Sequence, residues 1–219
     1  MQRAPLTEQQ IATALDQFET GRRKDLRIKE NAMHKIITVL TVLALTSTAL
    51  ANALFERQGA GDDFFDLDLD GPSIVVLTHD GRSNFQVLAY PAEGRRNVLV
   101  NVVGGYEGTR PLGFSEIPVE IEIKADGGWT FTVLPLDQAL APSEFIEGTG
   151  DMVLDFTAVE GRALVLTHHG TSNFMVLAWA DRRTAMVNEI GVYSGRVRFA
   201  PGTQYVEIRA DGDWTLQVE

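Results

Sequence analysis

A chain of 219 residues with 44% hydrophobic and 22% charged residues has enough apolar side chain to bury one or two cores. Beyond residue 53 it carries 12 basic against 25 acidic residues, a net charge of −13, with Lys124 the one lysine; such a surface repels phosphate, which excludes nucleic acid as a partner. Cysteine is absent, so no disulfide staples the fold, and packing or a bound ion must hold it.

Residues 1–32 predict a short basic helix, because Leu6-Thr7-Glu8-Gln9-Gln10 opens a pattern with Ile11, Leu15 and Phe18 at helical spacing and Gly21 ends it. This segment is expected to be a cytoplasmic tail, or untranslated sequence ahead of a start at Met33. Residues 36–55 carry no charge, and at about 1.5 Å per residue they could span about 30 Å of bilayer. Read from Met33, the basic start at Lys35, the apolar middle and the small-x-small Ala51-Asn52-Ala53 give residues 33–55 the layout of a signal peptide cleaved after Ala53, or of an uncleaved signal anchor. Either way Arg22, Arg23, Lys24, Arg27, Lys29 and Lys35 stay on the cytoplasmic side. The remainder is expected outside the cytoplasm, touching a membrane only through residues 36–55.

That remainder is written twice. Thr78-His79-Asp80-Gly81-Arg82-Ser83-Asn84-Phe85-Gln86-Val87-Leu88-Ala89 returns as Thr167-His168-His169-Gly170-Thr171-Ser172-Asn173-Phe174-Met175-Val176-Leu177-Ala178, with nine of twelve positions identical. Gly59-Ala60-Gly61-Asp62 matches Gly148-Thr149-Gly150-Asp151. Asn101 to Gly108 matches Asn188 to Gly195 as Asn-x-x-Gly-x-Tyr-x-Gly, and Ala125-Asp126-Gly127-Gly128-Trp129-Thr130 matches Ala210-Asp211-Gly212-Asp213-Trp214-Thr215. Length differences fall at turns, where Pro91-Ala92-Glu93-Gly94-Arg95-Arg96 shortens to Asp181-Arg182-Arg183. The expected domains are repeat 1 at 59–134, a linker at 135–147 with Pro135 and Pro142, and repeat 2 at 148–219.

Inside each copy the hydrophobic period is two. Val119, Ile121 and Ile123 alternate with Glu120, Glu122 and Lys124; Asp126-Gly127 then reads as a hairpin turn, and Trp129, Phe131 and Val133 share the face that points inward. Six or seven strands per copy and no convincing helix predict an all-β chain of two tandem antiparallel β-sandwiches, jelly-roll-like in pattern. Domains of about 75 residues are marginal alone, so the copies are expected to pack on each other or to pool strands into one larger sandwich.

Candidate site residues follow from the shared positions. His79 and His168 each precede a serine by four residues, which suggests a Ser/His nucleophile at His79/Ser83 and His168/Ser172. The pairing lacks an orienting acid, since Asp80 becomes His169, and no Gly-x-Ser-x-Gly elbow occurs. The alternative is that His, Ser and Asn tie a hairpin through side chain to backbone hydrogen bonds while Gly81 and Gly170 take a conformation closed to other residues. Asp62 and Asp66, with Asp151 and Asp155, are candidate Ca²⁺ ligands, against the plainer reading of turn chemistry and a wetted face. Tyr106 and Tyr193 either cover the sandwich rim or stack on a sugar ring. Tyr90 and Trp179, opposite Phe85 and Phe174, either fill a second packed surface or stack on a ligand.

The four repeated blocks together resemble a β-sandwich module of exported bacterial proteins that follows a membrane segment, over residues 59–134 and 148–219. In length and strand pattern they are also similar to pre-peptidase C-terminal and carbohydrate-binding sandwich domains. The resemblance implies no catalytic residues. Export targeting and duplication without a catalytic constellation give the expected function, a non-enzymatic binding or adhesion protein of the cell envelope, with a glycan or protein as partner and His79, Tyr90, Tyr106, His168, Trp179 and Tyr193 as candidate ligand contacts. The alternatives are a structural envelope or assembly protein stiffened by Ca²⁺, and a hydrolase.

Overall fold

The computed structural model describes residues 52–142, 144–159 and 163–219. The expected tail and nearly all of the export segment lie outside the described residues. Among those described, no helix is long and apolar enough to cross a membrane.

The first repeat contains β1 (Phe55–Ala60), β2 (Asp63–Asp66), β3 (Ser73–His79), β4 (Asn84–Pro91), β5 (Asn97–Val103), β6 (Tyr106–Leu112), β7 (Pro118–Lys124) and β8 (Gly128–Leu134). The second contains β9 (Phe145–Thr149), β10 (Met152–Asp155), β11 (Ala163–His168), β12 (Asn173–Trp179), β13 (Arg183–Ile190), β14 (Tyr193–Arg198), β15 (Tyr205–Arg209) and β16 (Asp213–Val218). A single 3-10 turn, Leu136–Gln138, lies between them. Both repeats start one strand earlier than their Gly-x-Gly-Asp blocks suggest. Phe55, expected at the end of the export segment, opens β1 and pairs with Val133.

Repeat 1 stacks a sheet of order β1-β8-β3-β6 on one of order β2-β7-β4-β5; repeat 2 does the same with β9-β16-β11-β14 and β10-β15-β12-β13. This is the strand order of an eight-stranded jelly roll, present twice. All the paired strands are antiparallel, and within each repeat only β4–β5 or β12–β13 forms a hairpin between chain neighbours. The other connections cross between the sheets. The expected hairpins at Asp80-Gly81 and Asp126-Gly127 are therefore crossovers, because β3 and β4, like β7 and β8, lie in different sheets. A period of two says which face is buried but not which sheet receives the next strand.

The alternation places Trp129, Phe131 and Val133 of β8 in a core with Phe65, Leu77, Phe85, Ile121 and Ile123, while Val119 at the start of β7 is exposed. Repeat 2 has a separate core around Trp214, Leu216, Phe174, Leu164 and Ile208. Two cores mean two domains rather than one pooled sandwich. A register shift recurs at Val87/Leu88 and at Val176/Leu177, so even a bulge is copied.

The domains join where edge strand β6 meets β10. Thr109 N–H donates to Asp151 O at 3.1 Å, and Val153 N–H donates to Thr109 Oγ1 at 2.7 Å.

Candidate ligand cleft between the repeats

The histidine of the repeated motif is buried and bonded alike in both copies. His79 Nδ1 donates to Gly104 O at 2.8 Å, and His168 Nδ1 donates to Gly191 O at 2.7 Å; a carbonyl only accepts, so the ring proton sits on Nδ1. Each ring stacks on the motif phenylalanine, with centroids 4.4 Å apart for His79 and Phe85 and 4.5 Å for His168 and Phe174. Both histidine side chains are wholly buried, and each Nε2 faces a carboxylate, Asp126 at 3.4 Å or Asp211 at 3.3 Å. The accepting glycines, Gly104 and Gly191, have φ of 93° and 83°, which explains the fixed glycine of Asn-x-x-Gly-x-Tyr-x-Gly.

The aspartate of Ala-Asp-Gly completes this unit. Asp126 Oδ2 accepts the Arg82 and Ser83 N–H groups at 3.0 and 2.9 Å, and Asp211 Oδ2 accepts those of Thr171 and Ser172 at 2.9 and 2.8 Å. The Arg82 amide most of all, with Ser83, holds the Asp126 carboxyl below its usual range against the opposing effect of desolvation. Two expectations are corrected. The serines act through backbone N–H, and among the described residues no hydrogen bond joins Ser83 Oγ to His79 or Ser172 Oγ to His168. Gly81 and Gly170 have no positive φ; they are glycine because a Cβ there would land on the aspartate oxygen and the imidazole.

The Gly-x-Gly-Asp block seats the buried tryptophan. Trp129 Nε1 donates to Gly61 O at 2.9 Å and Trp214 Nε1 to Gly150 O at 3.0 Å. A Cβ on Gly59 would lie 2.6 Å from the Trp129 ring. The aspartates considered as Ca²⁺ ligands have local partners. Asp62 Oδ1 accepts Ala125 N–H at 3.0 Å, Asp151 Oδ1 accepts Ala210 N–H at 3.0 Å, and Asp155 Oδ1 accepts the Thr157 N–H and hydroxyl. Asp66 is exposed on β2. No group of three or more metal-ligating side chains occurs among the described residues.

At the junction Asp151 takes a second role. Its Oδ2 accepts the Tyr106 hydroxyl at 2.8 Å and Arg110 Nη1 at 3.0 Å. Arg110 Nη2 reaches Glu207 Oε1 at 3.1 Å, and Glu207 also accepts Arg209 Nε at 2.7 Å and Trp179 Nε1 at 3.0 Å. Arg110 and Glu207 are buried, so two carboxylates of repeat 2 enclose an arginine of repeat 1. Burial, with the Asp151 charge, pushes the Tyr106 phenol well above its ordinary pKa. Phe114 of repeat 1 packs edge-on against Trp179 and Tyr205, at 5.1 and 5.4 Å. Repeat 1 carries a solvent-facing counterpart of part of this network: the Tyr90 hydroxyl donates to Glu122 Oε2 at 2.6 Å, and Lys124 lies 3.2 Å from Glu122 Oε1.

Of the six candidate ligand contacts, His79 and His168 are core, Tyr106 and Trp179 belong to the junction, Tyr90 is half-buried over Glu122, and Tyr193 folds over Gly195 on edge strand β14. They do not converge. Above the junction lies a cleft of about 420 Å³ lined from both repeats, by Trp179, Phe114 and five arginines: Arg95, Arg96, Arg110, Arg183 and Arg209. Sequence reasoning passed over these arginines; the available signal was the Arg-Arg pair kept in both copies at the hairpin whose length changed.

No family model matches the chain, and no curated protein matches it. Three solved structures resemble it in part. cAMP-bound PfPKA-R (141–441) is 7% identical over 75% of this chain and 70% of its own, with a TM-score of 0.22. The tandem CBM51 modules of Sp3GH98, the family 98 glycoside hydrolase from Streptococcus pneumoniae SP3-BS71, are 7% identical over 75% and 83%, with a TM-score of 0.25. The PBSX exported protein XepA is 10% identical over 77% and 83%, with a TM-score of 0.24. Likenesses this low carry no weight for function; the fold stands on its strand order.

Proposed function

We propose that this chain is a non-enzymatic, exported or membrane-anchored binding protein of the cell envelope whose ligand, a glycan or a protein, is held between two jelly rolls. One observation carries the reading: the shared His, Trp and Gly positions are engaged inside their own repeat, whereas the junction, where shared Tyr106 and Asp151 meet, forms a cleft that neither repeat has alone. A volume of about 420 Å³ lies within the range of small-ligand sites, about 300–1,000 Å³. The non-enzymatic part is supported by the histidines, whose rings are buried under Phe85 and Phe174 with Nδ1 committed to a carbonyl. Export is supported by the signal layout of residues 33–55.

The test is a glycan array and immobilised envelope fractions probed with the full chain, with thermal unfolding as a second readout, since a ligand that binds only the folded state raises Tm. Retention on one class of ligand with a raised Tm is expected. No retention and no Tm shift on any envelope glycan or protein fraction would overturn the reading. For the hydrolase alternative, Ser83→Ala, Ser172→Ala in one chain should leave activity in an esterase and peptidase screen at its starting level.

A further inference from the structure

Five of the 12 basic residues beyond residue 53 line the junction cleft, and Glu116 is the one carboxylate among the described lining residues. The same stretch has a net charge of −13. Gathering like charges costs free energy unless opposite charge offsets it. For Arg110 and Arg209 that offset exists in Asp151 and Glu207, although Arg110 Nε is buried with no acceptor. Arg95, Arg96 and Arg183 are exposed, and none forms an ion pair among the described residues. Arg183 has only the Trp179 ring, its guanidinium carbon 5.6 Å from the centroid.

The duplication says these arginines are more than turn filler. The β4–β5 hairpin and its β12–β13 counterpart differ in length, yet each keeps an Arg-Arg pair, and the packing of the repeats brings Arg95 and Arg96 from one and Arg183 from the other to the same cleft. Guanidinium forks bind carboxylate and sulfate bidentately, with more geometric selection than a lysine point charge.

We propose that this cleft binds an acidic saccharide, with its carboxylate or sulfate groups on Arg95, Arg96 and Arg183. The proposal deepens the reading of the chain as a binding protein and rests on it. Three exposed guanidiniums with no carboxylate at ion-pair distance among the described residues set the anion requirement, Arg96 alone acting through space on a carboxylate, Glu122. The acidity of the surrounding surface disfavours a polymer as densely charged as DNA, which carries one charge per about 1.7 Å, and suits a chain with one acid group per ring or fewer. Half-buried Phe114 offers a ring face, and Asn97 and Ser115 offer hydrogen bonds to hydroxyl groups.

The experiment is calorimetric titration of the full chain with a galacturonate tetrasaccharide, a sulfated chondroitin tetrasaccharide, neutral maltotetraose and a tetraglutamate peptide. A second chain carries Arg95→Ala, Arg96→Ala and Arg183→Ala. Because these residues are exposed and form no ion pair among the described residues, the triple variant is expected to keep a Tm close to that of the parent. The expected result is binding of at least one acidic saccharide that weakens with added salt, exceeds maltotetraose, and falls about 100-fold or more in the triple variant. Sulfate over carboxylate preference distinguishes the two acid sources. Equal binding of maltotetraose by both chains overturns the acidic-ligand proposal while leaving a glycan-binding protein. Tighter binding of tetraglutamate than of any saccharide assigns the arginines to an acidic protein partner and overturns the saccharide. No binding of any probe overturns the proposal; whether the broader binding reading survives is then decided by the envelope-fraction test.

Discussion

At the scale of single residues the repeated positions divide by what surrounds them. Gly81 sits where a methyl group would meet Asp126 and His79, so Gly81→Ala is expected to cost about 1–3 kcal/mol by overpacking, as is Gly170→Ala, with urea denaturation as the measure. The depressed carboxyls of Asp126 and Asp211 give stability a defined acid limb. For Asp211, desolvation acts upward and is outweighed by the amides of Thr171 and Ser172. A group whose folded pKa lies below its unfolded value of about 3.9 contributes stability that is complete above that value and disappears as pH falls through the folded pKa. Stability should therefore drop below about pH 4, and Asp126→Asn with Asp211→Asn should flatten that limb in a pH series of Tm values. Asp62, Asp151 and Asp155 already accept protein donors. Tm is accordingly expected to be the same in Ca²⁺ and in chelator; a rise of several degrees with Ca²⁺ would place an ion at these carboxylates.

At the scale of elements, strands with strict alternation were legible and strands without it were not. β8 reads as Trp129, Phe131, Val133 against Thr130 and Thr132, and the outward Thr130 hydroxyl meets that of Thr78 at 2.6 Å. β1 and β9 were missed because they are outer strands with no fully buried residue: β1 is exposed from Glu56 to Ala60, and the alternation of β9 turns only Ile146 and Gly148 part-way inward. The crossovers were misread as hairpins because Asp-Gly is a local signal, whereas sheet membership depends on residues far along the chain. Edge strand β6 carries an arginine where β14 has a valine: the register partner of Arg110 is Val75, whereas the equivalent Leu164 faces Val197. Arg110→Ala would leave Asp151 and Glu207 without their shared cation, and is expected to cost about 3–5 kcal/mol. The exposed Arg196–Glu219 pair offers the contrast, with Arg196→Ala costing about 0–1 kcal/mol. Equal costs in denaturation would show that the junction network adds no stability.

At the scale of the whole molecule, two complete cores are joined by the β6–β10 strand contact, a polar network and the Phe114 contacts. A buried ion pair holds only while both sides are folded, so it couples the repeats. Residues 52–219 are expected to unfold in one calorimetric transition, and Arg110→Ala to separate it into two. A parent chain that already melts in two steps would mean the jelly rolls are independent.

The duplicated sequence by itself determined the all-β class, the duplication of one strand pattern and the inward face of β8, because strand period and repeat identity are local properties readable along one chain. Only the tertiary structure decided that His79 and His168 are core, that Arg110 lies between Asp151 and Glu207, and that Arg95, Arg96 and Arg183 share a cleft. Those facts depend on which surfaces two folded repeats present to each other. An exposed turn arginine and a cleft arginine look alike in sequence, and the packing of one domain on its copy is what separates them.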